Sequence, residues 1–308
     1  MKKKWSLLLG FSVLAAPVTA AAAYYNILTV PIYHECGSAA GSWWESGDSC
    51  YWKFTTYGPF ATTLPTGDAL AVSTFKGSPD NASPFAVSAK FEVFDWITNS
   101  VLSTQSLSLP FYSGPLTAIL PFSVSSNHNI QLRTRYTGGG VLDQCGIHIL
   151  TASNVVMALN PGPQQLHQVG RDAGNGAWMA AETECAQCAF SYLTYGPYNS
   201  LPAKTGHRFA DFTLSWEQLA GGAPTTETTV VATISVVQSV NGRTILASRD
   251  LKRSDFSFPS YGSQVRFPVE FSTNATMGQF EYRVNWTGKG LLKHYASKVY
   301  DSDTQDCL

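Results

Sequence analysis

Charge is scarce in this sequence. Only 13% of its 308 residues are Asp, Glu, Lys or Arg, about half the ~25% usual in globular domains. The signs nearly cancel, 20 basic against 21 acidic residues. A surface that neutralises phosphates or anionic headgroups needs clustered Lys and Arg, so composition makes no electrostatic case for nucleic acid or an anionic membrane as partner. Catalytic signatures are missing too. There is no Gly-x-Ser-x-Gly elbow, no His-Glu-x-x-His pair and no phosphate-cradling loop. The acidic residues Glu45, Asp48, Asp172, Glu182, Glu184 and Asp211 form no recognisable constellation of the kind a glycosidase sets across its cleft. No stretch carries the 3.6-residue apolar period of an amphipathic helix.

What is present begins with an export signal. Lys2, Lys3 and Lys4 precede an apolar run from Trp5 to Val18, and small residues follow from Thr19 to Ala23. That order is a secretory signal peptide over 1–23, with cleavage expected before Tyr24. The run is short for a spanning helix, which needs ~20 apolar residues, and no later stretch would span a bilayer. The mature chain is therefore expected to be secreted, periplasmic or at the cell surface. Export places Cys36, Cys50, Cys145, Cys185, Cys188 and Cys307 in an oxidising compartment. Six cysteines allow 15 pairings, and one consistent scheme is Cys36–Cys50, Cys185–Cys188 and Cys145–Cys307. Cys185-x-x-Cys188 could also be redox-active or half a zinc site, but the second Cys-x-x-Cys of a zinc ribbon and a βαβ context are both lacking.

The most informative feature is a repeat. Thr56-Tyr57-Gly58-Pro59-Phe60 precedes Leu64-Pro65, and Thr194-Tyr195-Gly196-Pro197-Tyr198 precedes Leu201-Pro202. Tyr33-His34 and Leu166-His167 open comparable Gly/Ala-rich segments that lead to Trp43 and Trp44 in one case and Trp178 in the other. Cys50 and Cys188 each lie seven residues before the tyrosine of the motif. Ile130-Gln-Leu-Arg-Thr-Arg-Tyr-Thr-Gly-Gly-Gly-Val-Leu142 aligns without a gap to Phe280-Glu-Tyr-Arg-Val-Asn-Trp-Thr-Gly-Lys-Gly-Leu-Leu292, which matches Arg133 with Arg283 and Tyr136 with Trp286. The chain thus divides into a first domain at 24–151, a linker at 152–163 around Asn160-Pro-Gly-Pro163, and a second domain at 164–308.

Inside each copy the apolar period is two. Phe85, Val87, Ala89, Phe91 and Val93 alternate with other residues, as do Val265, Phe267, Val269 and Phe271, and Val230–Val237 is rich in β-branched residues. Asn241-Gly242 is a hairpin signal, and Asn99-Ser100 stands at nearly the same place in the first copy. Many short strands separated by turn residues predict an all-β chain of two tandem antiparallel β-sandwich, jelly-roll-like domains related by internal duplication.

The second copy resembles a domain of secreted bacterial proteins that runs from His-Gln-Val-Gly-Arg through Trp and Tyr-Gly-Pro-Tyr to a late aromatic strand. Here the matching residues are His167 to Arg171, Trp178, Tyr195 to Tyr198 and Glu281-Tyr-Arg-Val-Asn-Trp286. The first copy departs from it at Tyr33-His-Glu-Cys-Gly37 and Tyr57-Gly-Pro-Phe60. Such domains look like jelly-roll carbohydrate-binding modules, so the resemblance implies sugar binding.

Candidate ligand-binding residues follow from both lines of reasoning. Tyr57, Tyr195 and Tyr198 could stack on sugar rings, burying area at little entropic cost; equally, Gly-Pro between aromatics makes a turn or an edge-strand kink. Trp43, Trp44 and Trp178 are expected in loops, as platforms or as caps on a sandwich end. His34 and His167 could serve a metal or a pH response, or each make one buried hydrogen bond. Arg133 and Arg283 could hold a hydroxyl or carboxylate through the guanidinium fork, or pair with an acidic neighbour. A calcium ion held by loop oxygens suits a jelly roll, though no ligand set stands out, and no other cofactor is called for. Three functions are consistent with these residues: a non-catalytic secreted binder of a glycan or polysaccharide, with two copies gaining avidity on one polymer; a structural or adhesive surface protein; and a hydrolase without a recognisable signature. Oligomeric state is not legible.

Overall fold

The computed structural model describes residues 25–26, 38–40, 43–46, 54–61, 64–79, 86–111, 114–125, 129–184, 188–202, 204–239, 243–257, 260–274 and 278–302; for the strands before residue 62, and for 145–146, it describes the backbone only. His34, Cys36, Cys50, Cys185, Cys307, the export signal and the Asn241-Gly242 turn lie outside the described residues.

Among the described residues, twenty strands form the two sandwiches. The first ten are β1 (Tyr25–Asn26), β2 (Ser38–Ala40), β3 (Trp43–Ser46), β4 (Phe54–Ala61), β5 (Gly67–Ser78), β6 (Val87–Asp95), β7 (Ser100–Leu109), β8 (Leu116–Val124), β9 (Ile130–Gly138) and β10 (Val141–Leu150). The second ten are β11 (Val155–Leu159), β12 (Arg171–Gly174), β13 (Ala177–Ala181), β14 (Ser191–Thr194), β15 (Gly206–Glu217), β16 (Val230–Gln238), β17 (Thr244–Lys252), β18 (Val265–Thr273), β19 (Phe280–Trp286) and β20 (Leu291–Asp301). All pairings are antiparallel. In the first sandwich a sheet ordered β2-β3-β10-β5-β8, with β1 also on β10, faces a sheet ordered β4-β9-β6-β7. In the second the orders are β12-β13-β20-β15-β18, with β11 on β20, and β14-β19-β16-β17. Adding ten to every strand of the first sandwich reproduces the second, which is duplication written in topology.

The alternating residues do what their period requires. Val87, Ala89, Phe91 and Val93 enter the first core, and Phe267, Val269 and Phe271 the second. The aligned aromatics Tyr136 and Trp286 have equivalent tasks. Tyr136 Oη donates to the Gly140 carbonyl oxygen (2.6 Å), and Trp286 Nε1 donates to that of Lys289 (3.1 Å), so each anchors its Thr-Gly-x-Gly turn from inside the sandwich.

Two expectations need correction. The stretch 152–163 is not a bare linker: β11 pairs with β20 and so belongs to the second sandwich, and Pro161–Gln164 makes one helical turn, α1. Proline is suited to the first helical position, where no N–H donor is needed. Likewise Trp43, Trp44 and Trp178 lie in strands β3 and β13, not in loops. The Gly-rich segments fold back as the short hairpins β2-β3 and β12-β13.

The two sandwiches pack against each other through their six-stranded sheets. On β5, Ala69 and Ala71 point into the first core, while Leu70 and Val72 join Leu150, Phe209, Tyr300, Ile119 and Val155 in a third apolar cluster between the sandwiches. On β15, Phe209 points into that cluster and Ala210, Phe212 and Leu214 into the second core. The edge strands β8 and β18 also meet across this contact, and residues of β7 and β17 line the groove beside it.

Candidate ligand-binding face

The outer face of the sheet β14-β19-β16-β17 carries the densest set of chemistry-bearing side chains. It is built around Arg283, on β19. The core takes Phe280, Tyr282, Val284 and Trp286, so the intervening Glu281, Arg283 and Asn285 point outward. Arg283 Nη2 donates to Glu281 Oε2 (2.7 Å), and Nη1 lies 3.3 Å from the Tyr192 hydroxyl oxygen. Its guanidinium carbon stands 5.2 Å from the centre of the Tyr192 ring, and the Tyr192 and Tyr195 rings are 5.6 Å apart. Glu281 and Arg283 are 1% and 7% exposed. The hydrogen bond that Arg283 donates to Glu281, with the Glu281 carboxylate and the Tyr192 and Tyr198 hydroxyls nearby, raises the Arg283 pKa against the opposing effect of burial. Arg283 Nε, buried with the rest, has no hydrogen-bond partner.

The Tyr195-Gly-Pro-Tyr198 segment leaves β14 and runs beside β19. Leu166 and Tyr195 exchange backbone hydrogen bonds (2.8 and 2.9 Å), and Tyr282 N–H donates to the Gly196 carbonyl oxygen at 3.2 Å. Gly196 has φ 82°, which a side chain would disfavour. Gln165 Nε2, buried, donates to the carbonyl oxygens of Gly196 (2.9 Å) and Tyr282 (3.0 Å) and fixes the bend. The outcome is an exposed Tyr198, 37%, near Arg283, with Tyr192 and Tyr195 half-buried.

Farther along the same face stands Phe190, 75% exposed and held at φ 61°. Left-handed backbone costs a bulky residue roughly 1–2 kcal/mol. The turn is held by Asn285 Nδ2, which donates to the Phe190 carbonyl oxygen (3.2 Å), and by Ser191 N–H to that of Cys188 (3.3 Å). Cys188 is half-buried against the second core, and no free thiol occurs among the described residues. Phe190, Thr233, Asp250 and Lys289 border an open depression of about 670 Å³.

His167 and Trp178 lie apart from this cluster and hold each other. Their rings stack 3.7 Å apart and 10° from parallel. His167 ring nitrogens contact the carbonyl oxygens of Leu193 and Gly162, both at 3.1 Å, and Trp178 Nε1 donates to Val169 (2.8 Å). The pair fastens α1 and the chain entering the sandwich to β14.

In the first sandwich Arg133 occupies the position of Arg283. Its guanidinium carbon lies 3.3 Å from the Phe94 ring centre and 5.9 Å from that of Trp96, and Nε donates to Gln131 (2.7 Å). Burial lowers the Arg133 pKa, with Glu92 acting against it and Arg135 with it. Tyr57 is in backbone register with Arg133. Trp96 and Ile97, 55% and 61% exposed, are displayed by a turn that buried Asp95 organises. Asp95 accepts from the N–H groups of Ile97 (3.0 Å) and Asn129 (3.2 Å) and from the Thr98 hydroxyl (2.5 Å). Sequence reasoning missed Trp96, Tyr192, Phe190 and Glu281. Trp96 could have been found as the aromatic just past an alternating strand, beside the Asn99-Ser100 turn. Among the described residues no three His, Cys, Asp or Glu side chains are grouped to hold a metal.

No protein-family model matches the sequence, and no curated protein does. Solved structures are similar only in general form. A tandem pair of family-22 carbohydrate-binding modules from Paenibacillus barcinonensis Xyn10C covers 89% of this chain and 90% of its own at 8% identity, with a TM-score of 0.32. A family-6 carbohydrate-binding module from Cellvibrio mixtus lichenase 5A, in complex with cellotriose, covers 48% of this chain and 98% of its own at 9% identity (TM-score 0.30). The atomic structure of Sulfolobus Turreted Icosahedral Virus covers 78% and 50% at 14% identity (TM-score 0.25).

Proposed function

We propose that this is an exported, non-catalytic carbohydrate-binding protein whose second sandwich takes a glycan across the outer face of β14-β19-β16-β17. The observation that carries this reading is the cluster of Tyr192, Tyr195 and Tyr198 around Arg283. A sugar ring offers an apolar C–H face and a rim of hydroxyls. Tyrosine rings cover the first with little loss of rotamer freedom. Arg283, at the floor of the cluster and 7% exposed, offers the guanidinium fork to the second.

The ion pair of Arg283 with Glu281 makes this centre formally neutral, which suits a neutral sugar over a uronic acid. It also argues against hydrolysis at this face. Glycosidases need one carboxyl free to give a proton and another as base or nucleophile, whereas Glu281 is committed to Arg283. The protein lies outside the cytoplasm in this reading, consistent with the export signal at 1–23. Among the described residues no helix is long and apolar enough to cross a membrane. The test is a glycan array with the mature chain, with and without calcium. Binding to neutral glycans that Tyr198→Ala weakens is expected; no binding to any glycan in either condition overturns the reading.

A further inference from the structure

Four edge strands come together at the seam between the sandwiches. β8 and β18 end the two six-stranded sheets, and β7 and β17 end the two four-stranded ones. β7 packs beside β8, β8 beside β18 and β18 beside β17. Two grooves lie along this seam, of about 740 and 340 Å³. The same three strands pass through both. Pro115 and Thr117, at the start of β8, line the larger, and Ile119 to Pro121 line the smaller. β18 gives Glu270 to Ser272 to the first and Val265 to Pro268 to the second, and β17 gives Ile245 and Leu246, then Arg249. The grooves are therefore successive stretches of one trough. From Pro115 to Pro121 it extends about 20 Å, at roughly 3.3 Å per residue of strand.

The walls suit a polyhydroxylated chain better than an added peptide strand. Strand addition draws its affinity from main-chain hydrogen bonds along an edge. Pro121 of β8 and Pro268 of β18 lack the N–H donor, and β17 sets Arg249, Asp250 and Lys252 along its edge; both devices discourage strand pairing. β7, without charge or proline, brings Ser103, Thr104 and Gln105 to the wall. Their hydroxyls and amide, with Arg249 as donor and Asp255, just beyond β17, as acceptor, match the mixed donors and acceptors of a sugar's rim. Ile119, Pro121 and Pro268, with Ile245 at 62% exposed, offer apolar surface to ring C–H groups. The charges are balanced. His207 Nδ1 lies 2.6 Å from Glu270 Oε1, Arg266 Nε donates to Asp211 Oδ2 (2.7 Å), and Arg249 and Asp255 are of opposite sign. A trough of mixed sign has no field to favour a polyanion or a polycation.

Building on the carbohydrate reading, we propose that the seam is a second glycan site: an extended stretch of a neutral polysaccharide lies in the trough, held on one side by β7 and β8 and on the other by β17 and β18. Neither sandwich forms it alone, so the duplication creates a site that a single copy lacks. None of its lining residues belongs to the tyrosine cluster around Arg283.

The test uses the mature full chain. Short and long oligosaccharides of xylan, mixed-linkage β-glucan, laminarin and dextran are titrated by calorimetry, and melting temperatures confirm that each variant is folded. Two binding events per monomer are expected, the trough event requiring the longer chains. Tyr198→Ala should weaken only the other event. Gln105→Ala combined with Arg249→Ala should weaken the trough event about tenfold, and Thr117→Arg, which fills the trough, should abolish it. A lone event that Tyr198→Ala weakens, or a second event untouched by the trough variants, overturns the trough and leaves carbohydrate binding standing. So does a seam that takes an extended peptide and no oligosaccharide. A lone event that Thr117→Arg abolishes and Tyr198→Ala spares supports the trough and overturns the tyrosine face instead. If no oligosaccharide binds and the glycan array is also blank, the carbohydrate reading falls and the trough proposal with it.

Discussion

Arg266 of the second sandwich donates through Nη1 to the Phe122 carbonyl oxygen of the first, 2.9 Å away. The same guanidinium holds Asp211, which is 1% exposed. Burial pushes the Asp211 carboxyl above its usual range, while Arg266 pulls it down. Removing the cation leaves that carboxylate buried and uncompensated, a change that typically costs about 3–5 kcal/mol. Arg266→Ala is therefore expected to lower stability by about that much in urea unfolding. Its calorimetric trace should split into two transitions as the sandwiches uncouple. A single transition at the wild-type midpoint would show that the apolar cluster alone joins them.

The duplicated Thr-Gly-x-Gly turns make a paired prediction. Gly140 has φ 91° and Gly290 φ 66°. A Cβ at Gly140 would meet the Ser78 carbonyl oxygen at 2.5 Å, and one at Gly290 would meet Trp216 Nε1 at 2.5 Å and the Glu217 carbonyl oxygen at 2.6 Å. Overpacking costs about 1–3 kcal/mol, and the backbone strain adds to it. Gly140→Ala and Gly290→Ala should each destabilise by at least that much, whereas Gly114→Ala, whose Cβ would meet nothing within 4 Å, should be close to neutral. Thermal melts of the three variants decide this, and an equal response at all three would refute it.

Local patterns told more about the chain than about its surfaces. The Thr-Tyr-Gly-Pro and Thr-Gly-x-Gly repeats and the period of two led correctly to paired sandwiches, because each reflects forces acting within one domain. The contact between sandwiches was hidden. Ala69-Leu70-Ala71-Val72 shows no apolar alternation, since β5 is buried on both faces, and nothing in such a run says what the second face meets. The Gly-rich approach to Trp178 read as a loop, yet its glycines shape the hairpin β12-β13: Gly174 and Gly176 take φ 84° and 80°. Of the proposed site, Tyr195, Tyr198 and Arg283 could be picked out. Their partners Tyr192 and Glu281 could not, because that requires knowing that β14 lies beside β19.

Tyr198 and Trp178 separate binding from folding. Tyr198 is exposed near Arg283, whereas Trp178 is stacked on His167 and gives its N–H to Val169. Truncating an aromatic ring at the edge of a binding face costs about 1 kcal/mol, which is roughly 5-fold in affinity. Tyr198→Ala should therefore weaken glycan binding about that much with an unaltered melt. Trp178→Ala should lose about 3 kcal/mol of stability, and once folded it should keep its affinity. Affinity electrophoresis alongside thermal melts reads both, and the reverse pattern would move the site to Trp178.

His294 gives the second sandwich a predictable response to acid. The ring lies on β20, fully buried. Thr194 Oγ1 is 2.8 Å from Nδ1, and Nε2 is 3.1 Å from the Ala296 carbonyl oxygen and 2.9 Å from Ser297 Oγ. Nε2–H donating to Ala296 and Nδ1 accepting from Thr194 satisfies a neutral imidazole, and burial pushes its pKa down from 6.5 to about 3. In the unfolded chain the same ring binds a proton near pH 6.5. Between pH 6.5 and about 3 the unfolded state thus holds the extra proton, and stability falls as pH falls, by at most about 1.4 kcal/mol per unit from this group. Asp68, whose pKa Lys298 and Arg266 hold below the usual value, contributes in the same direction only below about pH 4. Urea unfolding at pH 7, 6, 5 and 4 should therefore show a decline that begins near pH 6.5, above the carboxylate range. In His294→Gln the protein should be less stable at pH 7 but should lose the part of the slope between pH 6.5 and 4.5. A slope in that interval that survives the substitution would assign the acid response to another group.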